Sequence, residues 1–135
     1  MFNKKRGKPQ NRIETLIGAG TVIDGDICFD GGMRIDGLVN GNVKANSGKS
    51  STLILSEQGR ICGDVSAGHL YINGKVRGTV VSDAYLELHA SAHVCGDVHY
   101  RMLEIQVGGV LEGRLVHSDS ADGEKVLAFK TGSTQ

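Results

Sequence analysis

No tryptophan occurs in these 135 residues, proline occurs once, and the aromatics number only six, three Tyr and three Phe. The near absence of proline excludes a proline-rich linker and a collagen. Charge of one sign is also missing. The 15 basic residues balance 15 acidic ones, so no global field favours nucleic acid, and any electrostatic partner must be met locally. The three cysteines are an odd number with no CxxC and no zinc-type spacing, which suits a reducing cytoplasm. No run approaches the ~18 to 20 apolar residues needed to cross a bilayer. The opening MFNKKRGKPQNR is positively charged but has no apolar segment behind it, so it is not expected to act as a secretory signal. A soluble or peripheral protein of one domain is expected.

What the chain does have is glycine, 20 in all, and the glycines keep a period. The pattern apolar-x-Gly-x-apolar is centred on Gly25, Gly41, Gly63, Gly78, Gly96 and Gly113, in pentads such as IDGDI, VNGNV, ICGDV and VCGDV. Successive stations lie 16, 22, 15, 18 and 17 residues apart. Between them falls a second, apolar-x-apolar station: Met33 and Ile35, Leu53 and Leu55, Leu70 and Ile72, Leu86 and Leu88, Leu103 and Ile105. Alternation over three to five residues marks short strands that bury one face, and no helical period competes with it.

A repeat of about 17 to 18 residues is too short for a propeller blade and lacks the helix of a leucine-rich repeat. It suits one turn of an all-β, three-sided, single-stranded β-helix with roughly six residues per side. About six turns at ~4.8 Å would give a rod roughly 29 Å long. Parity places the glycines inward with the apolar residues, where they provide the tight packing or unusual φ of a corner. The periodicity leaves the handedness of the coil open.

The columns flanking glycine support stacking. Before glycine stand Asp24, Asn40, Cys62, Arg77, Cys95 and Glu112; after it stand Asp26, Asn42, Asp64, Thr79, Asp97 and Arg114. Neither column sets two like charges on adjacent turns, where they would repel. Cys62 and Cys95 fall two turns apart, roughly 10 Å, too far for a disulfide, so the repeated CGDV reads as a structural station. The long interval contains ANSGKSST, residues 45 to 52, a polar insertion expected to bulge from one corner.

Chemical motifs are weak. Gly48-Lys49-Ser50 resembles the tail of a phosphate-binding loop, but Val43 occupies the position of its first glycine, and no helix follows in the pattern. His69, His89, His93, His99 and His117 read as surface residues with no metal-binding convergence within one chain. Cys28, Cys62 and Cys95 lack a patterned base. No catalytic residue, metal site or cofactor is expected. The N-terminal tail is more informative: Lys4, Lys5, Arg6, Lys8 and Arg12 precede the first acid, Glu14, and Phe2 follows Met1. Near an anionic leaflet each cation contributes ~1 kcal/mol, and a buried Phe ~2 kcal/mol. One tail would bind weakly, and many displayed on an assembly would bind firmly.

A β-helix exposes backbone groups and apolar interior at its first and last turns, which solenoids normally cap. No amphipathic capping helix can be read at either end here, so end-to-end stacking is expected. The candidate junction residues are Leu16, Ile17 and Val22 at one end and Leu111, Leu115 and Phe129 at the other.

The basic tail opening with Met-Phe, the six glycine-centred turns and the short polar C-terminal tail resemble a bactofilin, a polymer-forming bacterial cytoskeletal family. The resemblance covers residues 15 to 116 and rests on the repeat as a whole. It implies a right-handed β-helix over 15–116 and disordered tails at 1–14 and 117–135. It also implies nucleotide-independent assembly into a non-polar homopolymer. By the same resemblance, Met1, Phe2, Lys4, Lys5, Arg6 and Lys8 attach filaments to the anionic cytoplasmic face of the inner membrane, where they scaffold cell-wall enzymes or cell-shape factors. Two features depart from the family pattern: the 45–52 insertion alters one turn, and the C-terminal tail is short and polar. The alternative is a hexapeptide-repeat acyltransferase trimer on a left-handed coil, against which the irregular spacing counts. A histidine-zinc carbonic anhydrase on such a coil is a further option.

Overall fold

The computed structural model describes residues 12–46 and 48–118. Within them the chain winds six times around an apolar interior, with three short strands to a turn. The first turn holds β1 (Thr15–Ile17), β2 (Val22–Asp24) and β3 (Ile27–Phe29), and the second β4 (Gly32–Ile35), β5 (Leu38–Asn40) and β6 (Val43–Ala45). The third comprises β7 (Thr52–Leu55), β8 (Arg60–Cys62) and the first part of β9 (Val65–Ile72). β9 rounds a corner to open the fourth turn, which β10 (Lys75–Arg77) and the first part of β11 (Val80–Leu88) complete. The rest of β11, β12 (His93–Cys95) and β13 (Val98–Tyr100) make the fifth turn, and β14 (Leu103–Ile105), β15 (Val110–Glu112) and β16 (Leu115–His117) the sixth.

Stacking these turns produces three faces. The first is β2-β5-β8-β10-β12-β15. The second runs through β3, β6, β9, β11, β13 and β16, and the third through β1, β4, β7, β9, β11 and β14. Every one of these pairings is parallel, as a coil that always winds the same way requires. The all-β solenoid of six turns read from the glycine period is the fold that forms.

Its interior is a set of aliphatic ladders. On the third face Met33, Leu53, Leu70, Leu86 and Leu103 stack in register, beside Ile35, Leu55, Ile72, Leu88 and Ile105. The pentads contribute the other two. Ile23, Val39, Ile61, Val76, Val94 and Leu111 line the first face, and Ile27, Val43, Val65, Val80, Val98 and Leu115 the second. Members in the middle turns are fully buried, whereas Ile23, Ile27, Leu103, Ile105, Leu111 and Leu115 in the first and last turns are only partly covered. Each complete burial is worth ~1.5–3 kcal/mol, so the middle of the rod holds most of the stability.

The pentad glycines sit where the first face turns into the second. Their direction differs from the inward one that parity suggests. A Cβ on Gly41, Gly63, Gly78, Gly96 or Gly113 would lie 2.0 to 2.2 Å from the carbonyl oxygen of the glycine one turn earlier. Glycine is required here because the backbones of successive turns touch, and no side chain fits between them. Gly25, with no turn before it, has open space at the same position.

The long 45–52 interval places its extra residues at one corner, with Asn46 and Ser50 exposed, but its end turns inward. Four more residues lie between β6 and β7 than between β3 and β4, and they form a 3-10 turn at Gly48–Ser50. Ser51 is completely buried. Its hydroxyl donates to the Gly48 carbonyl at 2.6 Å and accepts the Gly68 N–H at 2.9 Å, while the buried Ser82 hydroxyl donates to the Gly68 carbonyl at 3.0 Å. Two serines thus satisfy the backbone of the corner that β9 rounds without a break, where ladder bonds are interrupted.

Two outcomes follow for stability. Gly78→Ala sets a Cβ 2.2 Å from the Gly63 oxygen at a residue with φ of 153°, whereas Gly25→Ala meets only its own φ of 135°. The first should cost about 3 kcal/mol or more and the second about 1–2 kcal/mol, read as melting midpoints by circular dichroism; equal losses would contradict the backbone-contact account. Ser51→Ala should cost about 1–3 kcal/mol, because it leaves the Gly68 N–H buried without its acceptor. An unchanged midpoint would show that the serine merely fills space.

Candidate functional site

On the flanks of the rod the side chains are polar and bonded from turn to turn. In the column after glycine, the Asp26 carboxylate accepts the Asn42 N–H at 2.9 Å, and the Asn42 side-chain oxygen accepts the Asp64 N–H at 2.8 Å. The Asp64 carboxylate accepts the Thr79 N–H at 3.0 Å. Asp97 accepts the Arg114 N–H and also binds its guanidinium at 2.9 Å, which holds the Asp97 carboxyl below the usual range. The short acids and amides after glycine therefore serve the next corner's backbone, a role that the DGDI and NGNV spellings signal once stacking is known.

The third face stacks like charges, Glu87 against Glu104, and the first face stacks Arg60 on Lys75. The Tyr85 hydroxyl donates to Glu104 at 2.8 Å, and His89 Nε2 lies 3.4 Å from Glu87, so each acid has its own neighbour to offset the repulsion. Burial, then the bond to Glu104, pushes the Tyr85 phenol well above its ordinary value.

The ends are different. Among the described residues the exposed large hydrophobics are Ile13, Leu16, Val22, Met102, Val107 and Val110, and all six lie in the first or last turn or its lead-in. Val107 is 97% exposed and Leu16 61%. Strands β1, β2 and β3 each pair on one side only, as do β14, β15 and β16. Both extremities therefore offer apolar side chains beside unpaired strand edges.

Of the junction residues expected from the sequence, Leu16 and Val22 are exposed at the first turn. Ile17 is 7% exposed and belongs to the core, and Leu111 and Leu115 are partly buried against it. Sequence reasoning selected these three from the inward ladder. It passed over Ile13, Met102, Val107 and Val110, whose signal is apolar character out of step with the alternation. Phe129 and the tail residues Met1, Phe2, Lys4, Lys5, Arg6 and Lys8 lie outside the described residues.

The other motifs resolve locally. The Gly48–Ser50 turn leads into strand β7, not into the helix that a phosphate-binding loop needs. Cys28, Cys62 and Cys95 are unbridged, and Cys62 and Cys95 flank Arg77 in register as the columns indicate. Among the described residues one mixed cluster of candidate metal ligands does converge. His93, Cys95 and Glu112 bring one ligand atom each within 4.8 Å of one another. His93 and Cys95 share the outward side of β12, and Glu112 is the register partner of Cys95 on the next turn. The search for three converging histidines missed this mixed cluster.

Comparison with known proteins gives these ends a context. The bactofilin family, described as polymer-forming cytoskeletal, matches residues 15–116. This chain belongs to the bactofilin family. It is 29% identical over 101 residues to bactofilin BacO of Myxococcus xanthus, across 75% of this chain and 77% of that protein. A cryo-EM reconstruction of Thermus thermophilus bactofilin double helical filaments is similar with a TM-score of 0.66 and 29% identity, over 76% of this chain and 98% of that one. The family assignment makes this chain a polymer-forming cytoskeletal protein. Among the described residues no helix is long and apolar enough to cross a membrane.

Proposed function

We propose that this bactofilin polymerises end to end, without nucleotide, through its first and last turns, and that the filament lies on the cytoplasmic face of the inner membrane. The observation that carries the junction is the confinement of exposed large hydrophobics to the two ends of the described rod. Burying them against a second copy removes apolar area from water, and the unpaired strand edges gain hydrogen-bond partners at the same time. The flanks, held by Asx side chains and ion pairs, are already satisfied and favour solvent. Leu16, Val22, Met102, Val107 and Val110 form the core of the proposed junctions, with Leu111, Leu115 and Phe129 beside them.

Membrane attachment is assigned to Met1, Phe2, Lys4, Lys5, Arg6 and Lys8, whose charge and single aromatic support reversible binding to anionic lipid. The filament multiplies that weak contact. A membrane-bound polymer of this kind would scaffold cell-wall enzymes or cell-shape factors. The acyltransferase reading has no comparable support: it requires a catalytic histidine at an acyl-carrier groove, and the family match is to a cytoskeletal group.

Purified protein without nucleotide should form filaments in negative-stain microscopy. The double variant Leu16→Glu with Val22→Glu should reduce them to short oligomers, while the melting transition stays within a few degrees, because both side chains are exposed. Filaments of undiminished length would remove the first turn from the junction. Deleting residues 2 to 8 should leave assembly intact and lower cosedimentation with anionic vesicles by about tenfold or more, since four cations at ~1 kcal/mol and one Phe are lost. Equal vesicle binding would refute the tail's role.

A further inference from the structure

We propose that His93, Cys95 and Glu112 form a binding site for a divalent first-row transition ion of the zinc type, on the outer side of the first face between the fifth and sixth turns. The three residues supply one nitrogen, one sulfur and one oxygen donor, the mixture that suits zinc or cobalt and discriminates against calcium and magnesium. Their placement follows from the fold. Residues i and i+2 of β12 project from the same side of the strand, and parallel stacking sets Glu112 directly beside Cys95.

The distances match the chemistry. Tetrahedral zinc bonds of about 2.0–2.3 Å place donor atoms about 3.3–3.8 Å apart. Here Cys95 Sγ lies 3.3 Å from Glu112 Oε1, and His93 Nε2 lies 3.5 Å from the same oxygen. All three donors fall within 4.8 Å, so a small rotation about the side-chain torsions closes the set. The His93 Nε2 atom is shielded from solvent and makes no hydrogen bond, although it faces the carboxylate.

The Cys95 thiol donates its proton to Glu112 at 3.3 Å. A bound cation would replace that proton. Sulfur would release it to solvent, and thiolate, carboxylate and neutral imidazole would neutralise the ion's two charges. Lys75 and Arg77 are the register partners of His93 and Cys95 on the turn before, and their charges set a repulsion that the three donors must outweigh. With the His93 and Glu112 side chains 40% and 63% exposed, water would take the fourth position. This proposal is independent of how the ends assemble.

The test is a cobalt titration of the full-length, reduced, chelator-treated protein. One equivalent of Co2+ should produce tetrahedral visible bands and a thiolate charge-transfer band, and Zn2+ should displace it. Cys95→Ser should abolish the charge-transfer band, and His93→Gln and Glu112→Gln should each weaken affinity by more than about tenfold. Cys28→Ser and Cys62→Ser should bind as wild type does. Zinc should raise the melting midpoint of wild type and not of Cys95→Ser. Failure to saturate at one equivalent, or a band that disappears with Cys62 or Cys28 and persists without Cys95, would overturn the site.

Discussion

Backbone contact between successive glycines at one corner sets the geometry from which the other features of this coil follow. Five glycines approach the carbonyl oxygen of the preceding turn so closely that a Cβ would fall at 2.0 to 2.2 Å from it. Parallel strands then have one possible register on the adjoining faces, because a slip of one residue would bring a side chain into the contact and expose the ladder. Irregular turn lengths are absorbed elsewhere: the 22-residue interval adds residues at the corner before β7 and at the corner after it, and leaves the glycine corner unchanged. The acids and amides that follow glycine are drawn into stacking by the same contact, and each accepts an N–H from the next turn.

This explains which features were legible from sequence. The pentads and the second apolar station repeat at fixed parity, so the coil, its six turns and the two columns beside glycine could be read directly. The remainder of the second face could not. Its second inward position runs Phe29, Ala45, Ala67, Ser82, Tyr100 and His117, which share neither size nor polarity. Ser51 was hidden for a related reason. A polar run looks like a solvated loop, yet a hydroxyl is at home in the interior when it can both donate to and accept from a backbone lacking ladder partners.

The cluster at His93 was partly visible. Cys95 and Glu112 already stood next to each other in the column before glycine, and the alternation of HVC places His93 on the same side. What sequence could not provide was the distance between side chains on two different turns, which depends on a register fixed by the adjoining contact of Gly96 with Gly113, 17 residues apart along the chain. The exposure of the expected junction residues was legible only in part. Inward positions such as Ile17 were taken as available because the end turns are bare, but an inward side chain in the first turn is still covered by the second.

A stack of identical steps is satisfied everywhere except at its two ends, and in the proposed end-to-end assembly this incompleteness gives growth a direction. In the middle turns each strand has two neighbours and each ladder residue is enclosed, so a second molecule can offer little that is not already present. At the ends one side of every strand and the side chains of Leu16, Val22, Met102, Val107 and Val110 remain open. Growth at the ends, as proposed, would repeat the contact that holds the turns together, whereas lateral association would have to displace hydrated Asp, Asn, Arg and Glu side chains. The charge balance works the same way: with no net charge, long-range repulsion between copies is absent, and short-range complementarity at the ends is left to decide how they meet.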